Sequence, residues 1–89
     1  MDSPEVGADE KHRAIWETFE LGDYSKVIRL CNMAIHKRKN ISFHKFMKSK
    51  CLNKQGKRKE AVDLAVEVRR SRPTDQTLVK QLLHLLLEL

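Results

Sequence analysis

The sequence predicts an all-α protein, and three observations carry that expectation. In the stretch 56–73, GKRKEAVDLAVEVRRSRP, the residues Ala61, Leu64, Ala65 and Val68 fall at i, i+3, i+4 and i+7, which places them on one face of a helix. No run alternates apolar and polar residues as a half-buried strand would, and aromatics make up only 6% of the chain against 34% charged residues, a balance that suits short amphipathic helices. The pattern also recurs: 34 residues before Gly56 stands Gly22, and Val27, Leu30, Cys31 and Ala34 then occupy the corresponding face.

The two copies share Gly22/Gly56 and Leu30/Leu64, while Val27/Ala61, Ile28/Val62, Cys31/Ala65 and Ala34/Val68 stay small or apolar in register. Thirty-four residues is the period of the tetratricopeptide repeat, a pair of antiparallel helices; the alternative is an unrelated helical bundle. Eighty-nine residues hold two such pairs and the first half of a third, so about five antiparallel helices are expected. A disordered lead-in at 1–8 would precede a repeat region at 9–89, with repeat one at about 9–40, repeat two at about 41–74 and the start of repeat three at 75–89.

Taken in order, residues 1–8 include Pro4 and Gly7 and offer little to bury. Asp9 is the expected cap of the first helix, with Glu10 in its first turn. Ile15, Trp16 and Phe19 form that helix's apolar face, and it should stop near Leu21 and Gly22. The second helix starts at Tyr24 or Ser25 and reaches Lys37, where His36, Lys37, Arg38 and Lys39 suit the negative end of the helix dipole. Asn40 closes the unit and stands where a cap for the next helix belongs. The third helix, about 41–55, carries Phe43, Phe46, Met47, Cys51 and Leu52, but Lys45, Lys48 and Lys50 interrupt its apolar face. The fourth is the stretch described first, ended by Pro73, with Lys59 and Asp63 spaced for a minor surface pair. Thr74 or Asp75 should cap the fifth.

On that fifth helix, Leu78, Leu82, Leu85 and Leu89 mark one side and Val79, Leu83 and Leu86 another. A helix apolar over more than half its circumference expects cover on two sides. These seven residues form a candidate apolar stacking surface, since each uncovered leucine forgoes about 1.5–3 kcal/mol of burial. The expectation is a piece of a longer solenoid or, failing that, a subunit that completes its core against a partner. The expected core is Ile15, Trp16, Phe19, Val27, Cys31, Ala34, Leu52, Ala61, Leu64, Ala65 and Val68.

The net charge of +6 is unevenly spread: residues 24–59 contain twelve Lys or Arg and no Asp or Glu. Lys45, Lys48, Lys50, Lys54, Lys57, Arg58 and Lys59 form a candidate basic partner surface, in which Lys50, Lys54 and Lys57 at i, i+4 and i+7 could follow a phosphate backbone. No base-reading motif accompanies them, so RNA or ribosome contact would be non-specific; an acidic protein surface or a solvated charge face are the other readings. A small basic helical protein that binds RNA or the ribosome is therefore the alternative function.

Catalytic and cofactor chemistry finds no motif. Gly56-Lys57 lacks the upstream glycine and following hydroxyl of a phosphate loop, and Cys51 with His44, seven apart, reads as a half-buried thiol beside an exposed imidazole. Cys31, His36, His44 and Cys51 are of zinc-ligand type, but their spacings of five, eight and seven match no finger or ribbon. The basic and amide residues that grip acidic C-terminal peptides in some tetratricopeptide proteins are replaced here by His12, Trp16, Met47, Thr77 and Gln81. No metal or cofactor is expected. With no apolar run of membrane-spanning length and no secretory leader, two cysteines read as reduced thiols in a cytoplasmic protein.

Residues 15–40 and 48–89 resemble the N-terminal region of the auxiliary subunit of the NatB N-terminal acetyltransferase complex. The shared features are a short polar lead-in, a first helix with a bulky aromatic, and a QG-x-x-x-EA-x-x-LA-x-EV pattern followed by a PTD turn: Gln55, Gly56, Glu60, Ala61, Leu64, Ala65, Glu67, Val68, Pro73, Thr74 and Asp75. The resemblance spans nearly the whole chain and a small part of that family's length. It implies a non-catalytic helical scaffold that wraps a catalytic acetyltransferase subunit and helps place it at the ribosome, acting on nascent chains that begin Met-Asp, Met-Glu, Met-Asn or Met-Gln. Acetyl-CoA chemistry would belong to the other subunit.

Overall fold

The computed structural model describes the backbone of residues 6–89 and the side chains from His12 onward. Five helices follow one another: α1 (Val6–Glu20), α2 (Tyr24–His36), α3 (Ile41–Lys54), α4 (Arg58–Arg70) and α5 (Gln76–Glu88). No strand occurs among the described residues. The connections are three to five residues long, which makes successive helices antiparallel neighbours. Helix α1 begins at Val6, so Asp9 lies within its first turns and not ahead of it as a cap; of the expected lead-in, residues 1–5 lie outside the described residues.

The turns explain how the repeat is built. Gly22 and Gly56 end α1 and α3 with φ of 84° and 82°. In both copies the next amide reaches back five residues, Asp23 N to the Thr18 carbonyl at 3.3 Å and Lys57 N to the Leu52 carbonyl at 2.8 Å. This closes the helix end through a left-handed glycine. A Cβ on either glycine would meet nothing within 4 Å, so glycine is required there by backbone conformation and not by space.

At the opposite edge, α2 and α4 end through Arg38 and Arg72, with φ of 57° and 53°. These arginines stand 34 residues apart and are a third identity between the copies. A side-chain-bearing residue held there costs about 1–2 kcal/mol relative to an unstrained conformation. Lys39 N still reaches the Ala34 carbonyl at 2.9 Å; Pro73, at the equivalent place, has no N–H to give.

Helix α3 is the centre of the structure, packed by α2, α4 and α5 and by the aromatic side chains of α1. His44, Phe46, Met47, Ser49, Cys51 and Leu52 are all buried. At 100° per residue they point around most of the helix, which is why no single apolar face was legible. Buried Ser49 has a partner: its hydroxyl donates to the Ala61 carbonyl at 2.6 Å, tying α3 to α4. On the α1 side, Trp16 meets Phe19 edge-on at 5.9 Å and Phe46 at 6.4 Å between ring centroids.

The core unites Ile15, Phe19, Val27, Cys31, Phe46, Met47, Cys51, Ala65 and Val68 with Leu78, Leu82 and Leu85 of α5. Ala61 and Leu52 are buried as expected. Trp16 and Leu64 are only partly covered, each at the margin of its helix's inner face, and Ala34 is partly covered in the last turn of α2. Asp23 caps α2 by accepting from Lys26 N at 3.3 Å, and Asp75 caps α5 by accepting from Thr77 N at 2.9 Å and Leu78 N at 3.3 Å. Asn40 precedes α3 in a left-handed conformation, and its side chain makes no capping bond. His44 binds that turn instead: its Nδ1 lies 2.9 Å from the carbonyl oxygens of both Lys39 and Asn40. Carbonyls only accept, so Nδ1 carries the proton.

Candidate functional site

The apolar residues of α5 divide between two destinations. Leu78, Leu82 and Leu85 are 5%, 2% and 2% exposed and belong to the chain's own core, so they are not part of a free stacking surface. Their i, i+4, i+7 spacing turns them together onto α3 and α4. Val79, Leu86 and Leu89 are half-buried at the edge of this contact. Leu83, at 44% exposed, and Leu87, at 86%, face outward. Leu87 is an outward residue that the two-sided reading of the helix missed; its position one turn after Leu83 was the available signal.

Internal symmetry gives the outward face a meaning. Shifting Val79, Leu83 and Leu86 back by 34 residues lands on Lys45, Ser49 and Leu52. Those residues of α3 face α4: Lys45 forms an ion pair with Glu67, Ser49 bonds the Ala61 carbonyl, and Leu52 lines a groove with Glu60 and Leu64. The face that α3 covers with α4 is the face that α5 leaves open. Beside it, Arg69, Arg72, Pro73, Val79, Leu82 and Leu83 line a cleft of about 290 Å³.

The basic run is divided by the same helical geometry. Lys45 and Lys48 point to α4, where Lys45 pairs with Glu67 and Lys48 shares a groove with Glu60, Asp63 and Glu67. Lys50 turns the other way and sets its ammonium over the rings of Trp16, Phe19 and Phe46, at 5.8, 5.2 and 5.8 Å from their centroids; such contacts are worth roughly 0.5–1 kcal/mol where exposed. Lys54, Lys57, Arg58 and Lys59 remain exposed around the α3–α4 turn, and none is ion-paired among the described residues. The seven residues therefore do not form one surface, three of them already have contacts inside the fold, and Lys50 is drawn out of the expected Lys50, Lys54 and Lys57 stripe by the aromatic rings. The pair expected between Lys59 and Asp63 does not form; the ion pair among the described residues is Lys45 with Glu67.

The cysteine and histidine groups sit deeper than expected. Cys51 is completely buried and His44 is 7% exposed, which corrects the half-buried thiol and exposed imidazole of the sequence reading. Burial pushes the thiols of Cys31 and Cys51 up to about 12, since a thiolate in an apolar core loses its hydration. A buried, protonated thiol is a poor nucleophile at neutral pH. His36 lies exposed at the end of α2, and among the described residues no three His, Cys, Asp or Glu side chains come together as a metal-binding group. His12 stacks on Phe43 at 3.8 Å, and Met47 is wholly buried, so neither is presented as an open peptide clamp would require. No described helix is long and apolar enough to cross a membrane.

No curated protein and no solved structure matches this chain. A family model does, over nearly its whole length: residues 9–89 match the one described as "Psidin, N-terminal TPR repeats region", and the chain belongs to that family.

Proposed function

We propose that this chain is a non-catalytic helical-repeat scaffold of the NatB auxiliary type, which supports acetylation of nascent chains by a partner catalytic subunit. The family supports the repeat architecture. The observation that carries the scaffold reading is the outward face of α5, because Val79, Leu83 and Leu86 occupy the register that α3 uses to hold α4. A helix from further repeats or from the catalytic subunit would extend the stack there. Co-expression with a NatB catalytic subunit, followed by co-purification and acetylation of Met-Asp peptides, tests the reading. A complex with raised peptide acetylation is expected, and separate elution of the two chains with unchanged acetylation would contradict it.

One observation favours a second reading. Lys54, Lys57, Arg58 and Lys59 crowd one turn without ion-pair partners among the described residues, and RNA or ribosome contact would use them. Four phosphate contacts imply a log–log salt slope of about −3 on single-stranded RNA. Titration against salt would show that slope, and a flat dependence would remove this reading.

A further inference from the structure

We propose that the edge built by the α2–α3 and α4–α5 turns is a binding site for a phosphorylated peptide. The two turns make one surface: Ser42 Oγ and Ser71 Oγ lie 3.4 Å apart across them. A cavity of about 350 Å³ opens there, with Asn40, Ser42, Ser71, Arg72, Thr74 and Asp75 in its wall. Lys37, Arg38 and Lys39 stand exposed on the first turn, and Arg69 and Arg72 on the second. None of these five cations is ion-paired among the described residues. Asp75 is the carboxylate in the cavity wall, and its Oδ1 is already engaged by the amides of Thr77 and Leu78. Arg70 faces elsewhere, into a groove with Asp63 and Glu67.

The backbone marks two of these charges as wanted. Gly22 and Gly56 close one edge of each repeat with φ of 84° and 82°, whereas Arg38 and Arg72 close the other with φ of 57° and 53°. Glycine would take that conformation without strain. Both repeats therefore carry a guanidinium where it costs stability, the trace that a functional side chain leaves in a backbone. The chemistry of the edge favours a phosphorylated peptide over RNA. The hydroxyls of Ser42, Ser71 and Thr74 gather with Arg72 around a concavity, which suits one dianionic phosphoryl group, and a guanidinium fork binds such a group bidentately. No exposed aromatic ring stands at these turns for bases to stack on; Phe43 is half-buried against His12. The site lies at the opposite edge from Lys54, Lys57, Arg58 and Lys59, and it rests on neither the acetyltransferase nor the RNA reading.

Fluorescence anisotropy of a labelled peptide with one phosphoserine among glycines and alanines, titrated with the full 89-residue chain, tests the proposal. Saturable binding is expected, with the unphosphorylated peptide about tenfold weaker or more. Arg38→Gly/Arg72→Gly should weaken phosphopeptide binding by about tenfold or more, with a thermal midpoint no lower than the parent's. Arg38→Gln/Arg72→Gln, which keeps the strain and loses the charge, should weaken it equally. Lys57→Gln/Arg58→Gln/Lys59→Gln, at the opposite edge, should leave it within about twofold. Equal affinity for the two peptides, or arginine variants that bind like the parent, would overturn the proposal. So would loss of binding through the opposite-edge variant. A single-stranded oligoribonucleotide that binds more tightly than the phosphopeptide and is lost with the same arginines would overturn it too, and assign the edge to RNA.

Discussion

Helices α3 and α5 hold the same place in successive repeats, 34 residues apart, yet they live in different surroundings. Helix α3 is enclosed, with residues as unlike as Phe46, Ser49 and Cys51 all at 0–1% exposure. Helix α5 carries seven apolar residues in thirteen against six in fourteen on α3, but buries only its Leu78, Leu82 and Leu85 side and leaves Leu83 and Leu87 in solvent. Apolar content alone thus does not decide burial; cover by neighbouring helices does. On α3, α4 supplies that cover and lets polar Ser49 and Lys45 be satisfied through Ala61 and Glu67. On α5 the equivalent positions are Val79 and Leu83, which have no polar demands and are suited to any helix that arrives with an apolar face.

The largest expected effect sharpens this contrast. Phe46→Ala removes a ring from the enclosed helix and should cost about 3–5 kcal/mol of stability, whereas Leu87→Ala should change the stability of the monomer by less than about 0.5 kcal/mol. Urea unfolding of both variants at low protein concentration measures the difference. Equal losses would break the comparison.

An alkaline effect should follow from the two core thiols. Both are raised from an ordinary value of 9.0 to about 12, so the folded state holds them protonated when the unfolded chain would ionise. Their contribution is complete below pH 9 and declines as pH rises from there towards 12. Stability measured against pH should fall across that window, and Cys31→Ala/Cys51→Ala should show a flatter decline. In the native protein at neutral pH, alkylation of both thiols should wait on unfolding.

The turns provide smaller effects of opposite sign. Gly56→Ala forces a side chain into φ of 82° and should destabilise by about 1–2 kcal/mol, even though the added methyl meets no atom. Arg72→Gly relieves the equivalent strain at φ of 53° and should stabilise by up to about 1 kcal/mol, less the added freedom of the unfolded chain. Thermal unfolding of the two variants should move in opposite directions.

Much of this architecture could be read from the residues, and the parts that could not have physical reasons. The glycine edge was legible because Gly22 and Gly56 are the residue type that a left-handed helix end favours. The arginine edge was not, since nothing about Arg38 or Arg72 signals that conformation, and a comparison weighted towards apolar positions passes over their identity. Helix α3 hid its burial because periodicity reports one covered face, and a helix covered nearly all round has none to report. The basic run looked continuous because sequence is linear; at 100° per residue Lys45 and Lys48 part from Lys50, and each side finds its own partner. For α5, the pattern showed two apolar sides, but only packing could say that the Leu82 side was taken.

The neighbours Leu82 and Leu83 test that division most directly, since they differ by one residue and by 2% against 44% exposure. Thermal unfolding of Leu82→Glu and Leu83→Glu, each followed by circular dichroism at low concentration, is the measurement. Leu82→Glu should unfold the chain or lower its midpoint severely, and Leu83→Glu should leave the midpoint within a few degrees of the parent. Similar losses in both variants would mean that α5 has no open face.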